Sequence, residues 1–151
     1  MGNSSFVPEV TIWCDQRHSA LAGRVLALMG AVVKPIGVGG PRTAAVDELA
    51  RSLQCDPHDD FRKMMIDRPA AFVLVGTTGT LSIDDIQTAL SQGGTVLMLE
   101  PLSSSLDALG QLCNRVGSLE SGQIAVLPSF ARSPSLSIAT DPKQVLGKVQ
   151  M

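Results

Sequence analysis

The chain has 151 residues, with 12 basic and 14 acidic side chains for a formal net charge of -2, and a mean hydropathy of +0.22. That length suits one domain with its own core, and no apolar run reaches the ~18 to 20 residues of a membrane span. Basic residues are scattered, and one Trp with no Tyr leaves neither the charge patch nor the stacking surface of a nucleic-acid binder. Cys14, Cys55 and Cys113 lie far apart without a C-x-x-C pair, so neither a disulfide framework nor a zinc knuckle is indicated and a cytoplasmic setting is expected. The start, MGNSSFVPEV, lacks the basic and apolar regions of a secretory signal, and Phe6 stands where a myristoylation pattern needs Ser or Thr.

Short apolar runs alternate with amphipathic segments, the pattern of parallel βαβ units. The first predicted strand, Val10 to Cys14, enters a turn without glycine, since none occurs between Gly2 and Gly23. There Asp15 or Ser19 is placed to cap the following helix, Arg17 and His18 are read as solvated, and Trp13 as packing surface. Leu21, Val25 and Leu28 share a helical face that ends at Gly30. A second strand, Ala31 to Gly37, leads into GVGGPR, Gly37 to Arg42. This is a glycine turn with Pro41 at the first helical position, or a loop whose Arg42 accommodates a 2′-phosphate. Val46, Leu49 and Leu53 mark the next helix. LQCDPHDDF, Leu53 to Phe61, leaves room for only a very short strand before a helix containing Phe61, Met64 and Met65. His58, Asp59 and Asp60 suggest a metal, but adjacent loop residues rarely converge on one ion, and helix-capping acids are the preferred reading.

The third long strand is Ala71 to Val75. Ser82 and Asp85 form a capping box for a helix carrying Ile83, Ile86 and Leu90 and closed by Gly93. Thr95 to Leu99 follows, then a helix through Leu106, Leu109, Leu112 and Val116 closed by Gly117, and a last strand at Gln123 to Leu127. From Ser129 the periodicity is lost. The fold expected is α/β, a doubly wound, mostly parallel Rossmann-like sheet of about five to six strands flanked by helices. Residues 1–8 read as a tail, 9–128 as the domain, and 129–151 as a tail or a crossover toward an absent second domain.

VLVGTTGTLSIDDIQTALSQGGTVLMLEPL, Val73 to Leu102, resembles the Gfo/Idh/MocA family of NAD(P)-dependent sugar and inositol oxidoreductases, in which a strand and Thr-Pro turn precede a helix and G-K-H-V-L-x-E-K-P-L. The resemblance runs back through GAVVKPIGVGG and forward through PSFARSPS to VLGKV, over nearly the whole chain, and covers only the N-terminal Rossmann half of such an enzyme. It implies a lysine beside the nicotinamide at the position of Glu100, with Leu99 in place of the family's glutamate and Pro101 retained. A carboxylate there repels the alkoxide that an ammonium would stabilise. The glycine fingerprint falls on Trp13 to Ser19, with Asp15 adding negative charge where a pyrophosphate would sit. The ribose-binding acid falls on Gly39 or Gly40. Thr77 and Thr78 replace Thr-Pro, Ser82 stands where the family often has His, and Arg132 is offset by one from an Arg-Phe-x-Pro motif.

Loss of phosphate loop, ribose acid and catalytic lysine together points to a degenerate, non-catalytic domain acting as a binding, scaffolding or regulatory module. No cofactor is expected, and the partner is a protein or a second copy. The alternative is the N-terminal domain or subunit of an NAD- or NADP-dependent oxidoreductase acting on a sugar or polyol, completed by another chain or domain. A sensor of another small molecule in the same crevice is the third possibility. The positions that would contact a nucleotide are Asp15, Gln16, Gly39, Gly40, Arg42, Thr77, Thr78, Glu100 and Pro101. No catalytic residue and no metal ligand is assigned. An exposed Trp13 in an apolar patch would mark a partner surface, and a buried one would count against it.

Overall fold

The structure, a computed structural model, describes residues 7–77, 80–99, 110, 111, 114 and 123–126. In chain order the elements are β1 (Glu9–Trp13), α1 (Ser19–Met29), β2 (Lys34–Gly39), α2 (Ala44–Ser52), β3 (Pro57–His58), α3 (Phe61–Asp67), β4 (Phe72–Val75), α4 (Ile83–Ser91), β5 (Thr95–Met98) and β6 (Gln123–Val126). The strands pair in parallel in the order β3-β2-β1-β4-β5-β6. The strand order therefore reverses between β1 and β4, which defines the crevice of a doubly wound sheet.

Strands covered on both faces have no polar side to spare, which is why β4 reads Phe-Val-Leu-Val and its last three residues are fully buried. Alternation along β1 sends Val10 and Ile12 to one face with Ala22, Leu26, Val46, Leu49 and Ala50 of α1 and α2. Trp13 goes to the other face, with Phe61, Met64 and Met65 of α3 and Ile86, Ala89 and Leu90 of α4.

Predicted and observed elements differ at both ends of β2, which runs on to Gly39 where the sequence predicts a glycine turn from Gly37, and in the buried face of α1. The second strand starts at Lys34 rather than Ala31, because Gly30–Val32 make a 3-10 turn after Gly30 takes φ +54°, and Lys34 pairs in register with Glu9. The buried face of α1 is Ser19, Ala22 and Leu26. Leu21 and Leu28 face outward, Leu28 at 71% exposure. The helix is apolar nearly all round, so the spacing fits two faces, and the smaller side chains lie against the sheet and α2. Gly23 is where a side chain would reach Leu49 Cδ1, at 3.4 Å. The predicted helix through Leu106 to Val116 lies outside the fully described residues.

The capping box at α4 forms as the sequence specifies. Ser82 Oγ accepts from the Asp85 N–H at 3.2 Å, and Asp85 Oδ2 accepts from the Ser82 N–H at 2.8 Å. Ser82→Ala is expected to lower stability by about 1 kcal/mol, read as a lower urea midpoint at unchanged slope.

Candidate functional site at the carboxyl edge of the sheet

Ligands of open α/β sheets sit outside the carboxyl ends of the strands at the reversal point, here the ends of β1, β2 and β4. The turn after β1 is tied to both neighbouring strands. The Cys14 N–H donates to the Gly39 carbonyl at 2.9 Å, and the Gly76 N–H donates to the Trp13 carbonyl at 2.6 Å.

Asp15 organises the turn between β1 and α1. Its Oδ1 accepts from the backbone N–H groups of Arg17 at 2.9 Å and His18 at 3.0 Å, and lies 2.7 Å from His18 Nδ1. Burial pushes this carboxyl up, but the ring and backbone N–H of His18, the His18 charge and the Arg17 N–H outweigh it, so it ionises below the usual range. Helix α1 begins at Ser19 with His18 as the N-cap position and no side-chain cap, so the capping role expected of Asp15 is exercised one turn earlier. Ser19 Oγ donates instead to the Gln16 carbonyl, at 3.1 Å. Gln16 and Arg17 are exposed. His18, expected to be solvated, has a side chain only 14% exposed.

Cys14 is buried, and burial followed by the Asp15 charge pushes its thiol up to about 11. A thiol that stays protonated at neutral pH is a packing group here, not a nucleophile.

At the end of β2, Gly39 faces Trp13 across the ladder and Gly40 takes φ +153°. Trp13 is 4% exposed, donates its indole N–H to Thr80 Oγ1 at 3.0 Å, and meets the edge of Phe61 at 5.4 Å between centroids. Its burial removes it as a partner surface. Helix α2 opens at Ala44, with Thr43 Oγ1 accepting from the Val46 N–H, so Pro41 lies outside the helix rather than at its first position. Arg42 and Asp59 approach to 3.4 Å with side chains 80% and 62% exposed. Asp60 caps α3 by accepting from the Lys63 N–H at 2.9 Å.

The structure thus brings Asp15, Gly39 and Gly40 together, with Arg42 further out and Thr77, 6% exposed, at the end of β4. Thr78, Glu100, Pro101 and Arg132 lie outside the described residues, as does the whole predicted segment 129–151. Among the described residues no three His, Cys, Asp or Glu side chains could hold a metal ion, and no helix is long and apolar enough to cross a membrane.

Sequence reasoning missed a groove of about 520 Å³ beside this edge, lined in part by Trp13, Asp59, Phe61, Arg62, Thr80 and Asp85. Arg62 Nε donates to Asp85 Oδ1 at 2.6 Å, a pair 23 positions apart that no local spacing announces. Burial pushes the Asp85 carboxyl up, but the Ser82 N–H and hydroxyl and the Arg62 guanidinium hold it below its usual range. A depressed folded-state pKa means stability that is full above the unfolded carboxyl's pKa and lost as pH falls through the folded value. Asp85→Asn is therefore expected to be less stable at neutral pH and to show a shallower loss below about pH 4, measured by urea unfolding across pH.

No protein-family model and no curated protein sequence matches the chain. Solved structures do. A WlbA dehydrogenase from Chromobacterium violaceum, in complex with NADH and UDP-GlcNAcA, superposes with TM-score 0.73 at 14% identity over 86% of this chain and 37% of that one. A scyllo-inositol dehydrogenase from Lactobacillus casei, with bound NAD(H) and scyllo-inositol, gives 0.63 at 17% identity over 80% of this chain and 36% of that one. A myo-inositol 2-dehydrogenase from Lactobacillus plantarum gives 0.66 at 12% identity, covering 80% and 36%. The chain spans less than two fifths of these proteins, between 36% and 37% of each length. Its fold is the Rossmann-like α/β fold seen in part of Gfo/Idh/MocA-type dehydrogenases, and identities this low establish the fold alone.

Proposed function

We propose that the chain is a non-catalytic relative of these dehydrogenase domains, a dinucleotide fold without its dinucleotide, serving as a binding, scaffolding or regulatory module. The observation that carries it is the Asp15 carboxylate inside the phosphate turn. A pyrophosphate is held there by backbone N–H groups at the helix N-terminus. The N–H groups of Arg17 and His18 already donate to Asp15 Oδ1, and a second anion at the same donors meets like charge. The residues present do not fit NAD or NADP bound in the usual manner, so no hydride-transfer step follows from them.

A protein partner or a second copy is the expected ligand class. Leu21, Leu28 and Val32, exposed at 40%, 71% and 71%, support an apolar contact along α1 and the 3-10 turn after it. The lack of paired cysteine spacings supports a cytoplasmic setting.

The test is calorimetric titration of the chain with NAD+, NADH, NADP+ and NADPH at modest ionic strength, with a dehydrogenase assay on sugars and polyols alongside. No heat and no turnover are expected. Micromolar binding of any of the four would overturn the proposal.

A second reading has one observation in its favour. Arg42 is exposed just ahead of the α2 N-cap, and its side chain meets Asp59 in a solvent-facing contact. As part of an NAD(P)-dependent oxidoreductase completed by another chain or domain, it would meet a 2′-phosphate. NADPH binding that is lost in Arg42→Ala would support that role.

A further inference from the structure

The end of β1 is larger than a dinucleotide turn allows, and the neighbouring strands are smaller. The fingerprint G-x-G-x-x-G begins where the first strand ends. With β1 ending at Trp13, its three glycines correspond to Trp13, Asp15 and His18. Two of these positions lie against a glycine at, or one residue past, the end of an adjacent strand. A Cβ on Gly39 would stand 2.7 Å from Trp13 Cε3 and 2.8 Å from Cζ3, with Met64 Sδ at 2.9 Å. A Cβ on Gly76 would stand 2.9 Å from the Cβ atoms of both His18 and Cys14. Ordinary contact begins near 3.4 Å.

Position 40 is closed differently. A Cβ there would collide with the Cys14 carbonyl oxygen, and its φ of +153° disfavours any side chain. Of the two positions at which a ribose-binding acid could stand, 40 is shut by backbone and 39 by the Trp13 ring.

We infer that Trp13 with Gly39, and His18 with Gly76, are reciprocal size exchanges that fill the dinucleotide turn sterically, beside the groove that Trp13 also lines, so that Trp13 itself is what keeps an acid out of position 39. The inference rests on the proposed loss of dinucleotide binding and adds a second, independent determinant to the charge of Asp15. Bulk at the end of β1 and in its turn occupies the space that side chains at positions 39 and 76 would need. Trp13 and Gly39 then behave as one unit in stability. Each substitution is tolerated better with its counterpart than alone.

Two experiments on the full chain test this. The first is a double-mutant cycle by urea unfolding. Gly39→Ala is expected to raise the unfolding constant about 30-fold in the native background, and less than about 5-fold in Trp13→Leu, where the ring is gone and only the flexible Met64 end must shift. Equal effects in both backgrounds would overturn the exchange. The second is calorimetric titration with NAD+ of the native chain, Asp15→Gly and the triple variant Trp13→Gly, Asp15→Gly, Gly39→Asp. Binding is expected only in the triple variant, at millimolar Kd or tighter. Binding by Asp15→Gly as tight as by the triple variant would overturn the steric closure while leaving the charge-based proposal standing. Binding by the native chain would overturn the proposed function instead. A folded triple variant with no heat also overturns the inference, and should that variant not fold, the stability cycle decides.

Discussion

Gly40→Ala should unfold the domain or come close to it, with an expected loss of about 3 to 5 kcal/mol. Two independent penalties combine at this position. The added Cβ meets the Cys14 carbonyl oxygen, and the backbone sits at φ +153° where L side chains are strained. The clash is with backbone, so no rotamer change relieves it. Relief requires moving the β1 turn, which is fixed by the Cys14 N–H to Gly39 carbonyl bond, or the β2 end, whose Gly40 N–H donates to the His58 carbonyl at 3.0 Å. A domain at the low end of the usual range of about 5 to 15 kcal/mol has little left after that. Urea unfolding followed by circular dichroism reads the effect directly. An unchanged midpoint would mean that the β1 turn is not where the structure has it.

Trp13→Ala is the second large effect, about 3 to 5 kcal/mol. The ring lies between Gly39, Met64 and Phe61, and its indole N–H is satisfied by Thr80. Truncation opens a cavity at the centre of the second core and strips Thr80 of its donor. Trp13→Phe separates the two contributions. It keeps most of the apolar contact and removes the N–H, so a loss of about 1 to 2 kcal/mol is expected, most of it from packing with the remainder from the hydrogen bond. The protein has one Trp, so the comparison is made by circular dichroism rather than fluorescence. A loss in Trp13→Ala below about 1 kcal/mol would contradict the buried position.

Much of the sheet was legible because parallel strands advertise themselves. Val73 to Val75 admits no solvent-facing side, and Ser82 with Asp85 announces a helix start by chemistry that is entirely local. The outer face of α1 was not legible. In SALAGRVLALM apolar residues encircle the helix, and only the tertiary packing, with Ala22 and Leu26 against the sheet and α2, selects the face that is buried. The extent of β2 was misjudged for a similar reason, since Ala31 and Val32 have strand-like neighbours but Gly30 has turned the chain. At the site, the absence of glycine from Trp13 to Ser19 and its presence at positions 39 and 40 were both visible in the sequence. That the two facts are one fact was not. It takes the register of β1 against β2 to set Trp13 beside Gly39, and a distance to show that the ring and a side chain there exclude each other. The Arg62 to Asp85 pair was hidden likewise, because α3 and α4 meet only in the folded layer.

Occupancy of the Asp15 turn by the chain's own groups is tested most directly by amide chemical shifts. Uniformly 15N-labelled protein is titrated with NADH to several millimolar while the resonances of Arg17, His18, Gly39 and Gly40 are followed. No saturable shift at these four amides is the expected result, because two of them already serve Asp15 and a third serves His58. Saturable shifts of Arg17 and His18 with a common Kd would show a pyrophosphate displacing the Asp15 carboxylate, and would contradict a dinucleotide fold closed by its own residues.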